Sequence, residues 1–147
     1  LGAPIGSALV GPRDLITKAR RFRKLFGGGM RQAGIIAAAA LYALDHHIER
    51  LAEDHQNAQL LAAAIRESEG LTLTPPEIDT NIVIFQVDPR LGTAADFTAR
   101  LKDAGVLMLA VGPQLIRAVT HLDVTRPEIE QAGVILQATA DAGLAKA

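Results

Sequence analysis

From Met30 to Ala43 the chain is apolar nearly all the way round a helix. A helix of that kind has no polar stripe to turn toward water, so it must be covered on most sides. This segment demands a surrounding core and rules out a lone surface helix. It also rules out a membrane span: the longest apolar stretch, Ala33 to Leu44, falls far short of the roughly 20 residues that cross a bilayer. Of the 147 residues, 49% are hydrophobic but only 3% are aromatic, so the core must rest on Ala, Leu, Ile and Val. That length fits one compact domain or part of a larger two-domain protein.

The flanking segments give the Ala-rich helix its context. Ala3 to Val10 reads as a short buried strand, ended by Gly11-Pro12. Pro12 suits a helix start, where its missing N–H would be unpaired in any case. The helix then runs to about Leu25, with Leu15, Ile16, Ala19, Phe22 and Phe26 on one face. Gly27-Gly28-Gly29 stops it, because glycine accepts positive φ and disfavours continued helix. Asp45-His46-His47 breaks or bends the next helix. An amphipathic helix follows from Ile48 to Glu67, with Ile48, Leu51, Ala52, Leu61, Ala62 and Ile65 as its apolar stripe and Gly70 as its stop.

After Gly70 the character changes. Leu71–Thr74 and Asn81–Val87 read as strands, the second alternating Ile82, Ile84 and Gln86 against Val83, Phe85 and Val87. Thr93 and Asp96 form a capping pattern for a helix that ends near Gly105. Val106–Val111 and Leu115–His121 are two more strands, separated by Gly112-Pro113. Thr125, Pro127 and Glu128 open a last helix carrying Ile129, Val134, Ile135 and Leu136. Strand, strand, helix, strand, strand, helix predicts a small α+β domain whose mostly antiparallel sheet is covered by helices on one face.

Net charge is −1 and there is no cysteine. Disulfides, thiolate metal sites and cysteine nucleophiles are therefore excluded, and a cytoplasmic location is expected. Arg13, Lys18, Arg20, Arg21, Arg23, Lys24 and Arg31 cluster with Asp14 as the only acid among them. Nucleic-acid binding is disfavoured, since no aromatic stacking platform accompanies the cluster. His46, His47 and His55 are too spread along a helix to share one metal ion without other ligands, so no metal site is assigned. Arg31 follows the glycines at a predicted helix start, where free N–H groups and the helix dipole attract anions. Arg117 lies on a predicted strand. Its planar fork suits a carboxylate, and the plain alternative is an ordinary edge-strand salt bridge. His121, four residues on, is expected on the same strand face and is given no role.

Two stretches carry a family likeness: Leu1-Gly-Ala-Pro-Ile-Gly-Ser7, and Arg23-Lys-Leu-Phe-Gly-Gly-Gly-Met-Arg-Gln-Ala-Gly34. Together they resemble the low-specificity L-threonine aldolases, fold-type I pyridoxal-phosphate enzymes of the beta-eliminating lyase and threonine aldolase group. Ala40–His55 and Ile116–Val124 fit the same family, so the likeness covers essentially the whole chain.

The resemblance implies an α/β architecture. Residues 1–47 would be the end of a large cofactor-binding domain (strand, helix, long helix), and residues 48–147 a small C-terminal α+β domain. In that family the Schiff-base lysine sits just before the segment matching Leu1, in Ser-Lys-Gly-Leu-Gly-Ala-Pro. None of Lys18, Lys24, Lys102 or Lys146 lies in such a motif. The catalytic lysine is therefore expected just upstream of Leu1, and the 147 residues alone are expected to be inactive. The reaction implied is cleavage of a β-hydroxy-α-amino acid, L-threonine or L-allo-threonine, to glycine and an aldehyde with pyridoxal 5'-phosphate. Arg117 would bind the substrate carboxylate, and Arg31 and Lys24 would serve the cofactor. A dimer-based assembly, a tetramer, is implied, with neither nucleic acid nor membrane as partner. Two alternatives remain: a non-catalytic folding and oligomerisation piece, or a related β-eliminating lyase with a different bond choice.

Overall fold

The computed structural model describes residues 1–145, so Lys146 lies outside them. The chain divides into two units, Leu1–Ile48 and Glu49–Ala147.

The first unit contains α1 (Arg13–Leu25) and α2 (Gly34–His46). Helix α1 begins directly after Pro12 and carries Asp14 in its first turn and Arg23 and Lys24 in its last. Each charge sits at the end of the helix dipole that favours it. Helix α2 ends at His46, within the polar segment that the sequence marks as a break. The expected strand over Ala3–Val10 does not form, and that segment is irregular. A strand needs a ladder partner for its N–H and C=O groups, and no other strand occurs among the described residues of this unit.

The Ala-rich helix, expected to be buried, is largely open: Ala43 is its one buried residue, and α1 has none. Phe22, Phe26, Met30, Ile35 and Leu41 are all exposed. Large exposed apolar patches mark interaction surfaces. No helix among the described residues is long and apolar enough to cross a membrane.

The second unit has its own core. It comprises α3 (Leu51–Glu67), β1 (Leu71–Leu73), β2 (Ile82–Val87), a 3-10 turn (Pro89–Leu91), α4 (Ala94–Asp103), β3 (Leu109–Ala110), β4 (Leu115–Val119) and α5 (Arg126–Leu144). The sheet order is β1-β2-β4-β3, with every neighbouring pair antiparallel. One sheet face supplies Leu71, Leu73, Val83, Phe85, Val87, Ile116 and Ala118 to the core. Ala58, Leu61, Ala62 and Ile65 from α3, Phe97 and Leu101 from α4, and Ile129, Leu136 and Ala140 from α5 cover that face. Helices α3 and α5 approach closely at Gly133, where a Cβ would lie 3.0 Å from the Ala64 Cβ.

Local chemistry explains the boundaries. At Thr93 the hydroxyl accepts from the Asp96 N–H at 3.2 Å, and the Asp96 carboxylate accepts from the Thr93 N–H at 3.0 Å. At the start of α5 the Glu128 carboxylate accepts from the Thr125 N–H at 2.7 Å. The third strand is shorter than the expected Val106–Val111. Val106 donates its N–H to the Leu101 carbonyl (2.8 Å) and Gly105, at φ +90°, donates to Lys102 (2.9 Å), so these residues cap α4 and are lost to the sheet.

The α3 stripe also differs. Its buried residues are Asp54, Asn57, Ala58, Leu61, Ala62 and Ile65, while Ile48 and Ala52 are exposed. The helix starts only at Leu51, and its inward face opens on a carboxylate neutralised by Arg50 through two 3.1 Å hydrogen bonds.

Candidate functional site

In the first unit, α1 ends in a left-handed glycine turn. Gly27 takes φ +80° and donates to the Lys24 carbonyl at 3.1 Å, while Gly28 donates to the Arg23 carbonyl at 2.7 Å. This pair of bonds satisfies the last carbonyls of the helix in a Schellman arrangement. Gly28 must be glycine for steric reasons, because a Cβ would fall 2.7 Å from the Arg23 Cγ and 2.8 Å from its carbonyl oxygen. At Gly29 a Cβ would meet the Lys24 Nζ at 3.5 Å, so the Lys24 ammonium lies against the bare backbone of the turn.

Arg31 follows in an exposed turn, and Gln32 takes φ +54°, a conformation uncommon outside glycine. Helix α2 then starts with no side-chain cap at Ala33. Lys24 and Arg31 therefore flank one turn, and among the described residues neither forms an ion pair. A bare glycine backbone, two free cations and an uncapped helix start make a set that fits an anionic group such as a phosphate.

In the second unit, Arg117 occupies the middle of β4 and alternates with the buried Ile116 and Ala118, so it points to the sheet face that the helices leave open. In the register it stands directly opposite Ile84 of β2 and Leu109 of β3. Leu115 and Val119 share its face on the same strand, and Ile82 and Gln86 are its diagonal neighbours on β2. No acid occupies any of these positions. Among the described residues the Arg117 side chain makes no ion pair and no hydrogen bond. It is a free guanidinium on an aliphatic surface.

His121 lies two residues beyond Val119, where β4 ends. Its Nδ1 accepts from the Asp123 N–H at 3.2 Å in the following turn. In the first unit, Tyr42 packs against His46 at 4.2 Å and edge-on against His47 at 5.6 Å. No group of three metal-ligating side chains is assembled among the described residues. The shifted carboxylates are not among these candidates. Thr93 hydrogen bonds hold Asp96 below its ordinary range, Thr125 hydrogen bonds do the same for Glu128, and the Arg90 side chain does so for Asp88. Sequence reasoning passed over the aliphatic residues around Arg117. The alternation of Ile82, Ile84 and Gln86 was legible, but its meaning depends on strand order and register.

The beta-eliminating lyase family model matches residues 1–88. A low specificity L-threonine aldolase of Escherichia coli K12 is 44% identical over 131 residues, which cover 89% of this chain and 37% of that protein. A probable low-specificity L-threonine aldolase 2 of Arabidopsis thaliana is 39% identical over 132 residues, 88% of this chain and 37% of that one. The chain thus spans a little over a third of the length of these relatives. Among solved structures, an alpha-aminoadipate aminotransferase of Thermus thermophilus, complexed with N-(5'-phosphopyridoxyl)-L-leucine, superposes with a TM-score of 0.65. It is 14% identical and the match covers 94% of this chain and 38% of that one, a likeness of fold alone.

Proposed function

The chain belongs to the beta-eliminating lyase family, and on that premise we propose that it forms the C-terminal part of a pyridoxal-phosphate-dependent aldolase. The reaction is cleavage of β-hydroxy-α-amino acids such as L-threonine and L-allo-threonine to glycine and an aldehyde. Residues 1–47 complete the large domain, and residues 48–147 form the small one. The lysine that anchors the cofactor precedes Leu1 in the longer protein. Kinship with threonine aldolases over most of the chain supports this reading, as does the turn at Lys24 and Arg31. The assembly is dimer-based and tetrameric, and it works in the cytoplasm. The open apolar surface of α1 and α2, which needs cover, supports a partner polypeptide surface there.

The observation that carries the proposal is Arg117, a guanidinium with no counter-charge on an aliphatic sheet face. A substrate carboxylate supplies the missing partner through two parallel hydrogen bonds. Holding the carboxylate fixes rotation about the substrate Cα and so selects which of its bonds reacts. Lys24 and Arg31 hold the cofactor's anionic group against the glycine turn. When bound, the cofactor supplies the electron sink for Cα–Cβ cleavage.

The test is Arg117→Ala in the full-length enzyme. A charge-assisted hydrogen bond contributes about 1.5–3 kcal/mol, and about 1.4 kcal/mol is a factor of ten. KM for threonine should therefore rise at least about tenfold while the cofactor stays bound by its absorbance. Unchanged kinetics would remove Arg117 from the site.

A further inference from the structure

The open face of the sheet in the second unit is unusual in its chemistry. Arg117 is the single charge among its cross-strand, same-strand and diagonal neighbours, which are Ile84, Leu109, Leu115, Val119, Ile82 and Gln86. Directly opposed residues in an antiparallel pair have Cβ atoms about 4.5–5.5 Å apart with side chains on one face. Ile84 on one side and Leu109 on the other therefore wall the arginine stem, in a row that runs across three strands. Both opposed positions are branched aliphatics, and Leu109 is 53% exposed and lies outside the core cluster.

We propose that Ile84 and Leu109 are positioning residues that keep the Arg117 guanidinium upright and unpaired for the substrate carboxylate. The proposal rests on the reading of Arg117 given above. Two physical effects carry it. Aliphatic walls on both sides limit the rotamers of a long, flexible side chain, so less freedom is lost on binding. The same walls exclude an internal carboxylate, which would satisfy Arg117 permanently and compete with substrate.

The experiment uses the full-length, cofactor-loaded enzyme and compares glycine with glycinamide by titration calorimetry. The two ligands share an amine and differ in whether a carboxylate is present, so their affinity ratio isolates the arginine contact. General damage to the fold would weaken both alike and leave the ratio unmoved. Leu109→Glu should cut the preference for glycine at least tenfold, and Leu109→Gln, of equal length and uncharged, less than threefold. In an Arg117→Ala background Leu109→Glu should produce no further loss. Ile84→Glu, on the opposite wall, repeats the test should Leu109→Glu fail to fold.

Equal effects of Glu and Gln, or a ratio unmoved by Glu at both positions, would overturn the proposal. The Arg117→Ala arm separates the two readings. If it leaves the ratio intact, the carboxylate role of Arg117 itself falls. If it abolishes the preference while both Glu variants retain it, only the role of the walls falls.

Discussion

Replacing Arg50 by methionine should destabilise the second unit far more than the loss of a surface ion pair would. Arg50 holds the Asp54 carboxylate through two 3.1 Å hydrogen bonds, and the Asp54 side chain is only 5% exposed against 23% for Arg50. Water reaches the guanidinium but scarcely the carboxylate. Exposed pairs contribute about 0–1 kcal/mol, whereas stranding a buried charge costs about 3–5 kcal/mol. With one partner partly wet, Arg50→Met should cost about 2–3 kcal/mol, against a total of about 5–15 kcal/mol for a unit of this size. The double variant Arg50→Met, Asp54→Leu should recover most of that loss, because it removes the stranded charge along with its partner. Urea unfolding of the polypeptide 49–147 at neutral pH reads both numbers from the shift in midpoint at constant slope. Arg126→Met, which breaks the well-exposed pair with Glu130, is the control and should change little. A single variant that behaves like this control, or a double variant no more stable than the single, would refute the reasoning.

Further outcomes follow from the turn, the caps and the lysines. Gly27→Ala meets no atom within 4 Å but keeps φ +80°, so it should cost about 1–2 kcal/mol. Gly28→Ala drives a Cβ into the Arg23 carbonyl and should cost more, about 2–3 kcal/mol. Thermal melting of the full-length protein ranks the two variants, and the reverse order would contradict the Schellman assignment. Asp88, Asp96 and Glu128 titrate below their ordinary range in the folded state. Their stabilisation is therefore present above the unfolded carboxylate pKa and lost as pH falls through and below that range. Asp96→Asn and Glu128→Gln together should flatten the acid limb of a stability–pH curve, and an unchanged limb would place the acid sensitivity elsewhere. Borohydride reduction of the cofactor-loaded full-length enzyme should label a lysine preceding Leu1 by peptide mass analysis. Label on Lys18, Lys24 or Lys102 would overturn the assignment.

What was legible in the chain was what local chemistry decides. The Thr93 and Thr125 caps are legible because the bonds that define them span three residues. The strand expected over Ala3–Val10 failed because β structure is decided by a partner, and the first unit contains none among its described residues. Val106 alternated well enough for a strand, but the φ +90° turn at Gly105 drew its N–H to Leu101. The α3 stripe departs from the expected one at its start because Asp54 and Asn57 are polar, and periodicity counts apolar residues. Arg117 could be picked out as a candidate only through the family likeness, since a lone strand arginine reads as surface. What distinguishes it is the absence of acids at Ile84 and Leu109, positions 33 residues before it and 8 before it that only the register joins.

The two candidate sites stand on different physical footings. The turn at Lys24 and Arg31 belongs to a unit with almost no buried side chains of its own, so its order depends on whatever covers α1 and α2. Arg117 belongs to a unit that closes its own core, and its strand is pinned just beyond it. The fully buried Thr120 donates its hydroxyl to the Asp54 carbonyl at 2.7 Å and its N–H to the Asn81 carbonyl at 3.0 Å. The Asn81 amide donates in return to the Thr120 carbonyl at 2.7 Å. One residue thereby ties the end of β4 to the first turn of α3 and to the start of β2. Rigid support of this kind holds a binding side chain to the narrow tolerance that orientation control requires. Asp54 is also the partner of Arg50, so the ion pair proposed for disruption lies in the same junction that holds β4. Loss of that pair should therefore loosen the register at Arg117 before it unfolds the unit. In the full-length enzyme Arg50→Met should raise KM for threonine at temperatures well below the melting transition. A KM unchanged up to the transition would show that β4 holds its register without the α3 junction.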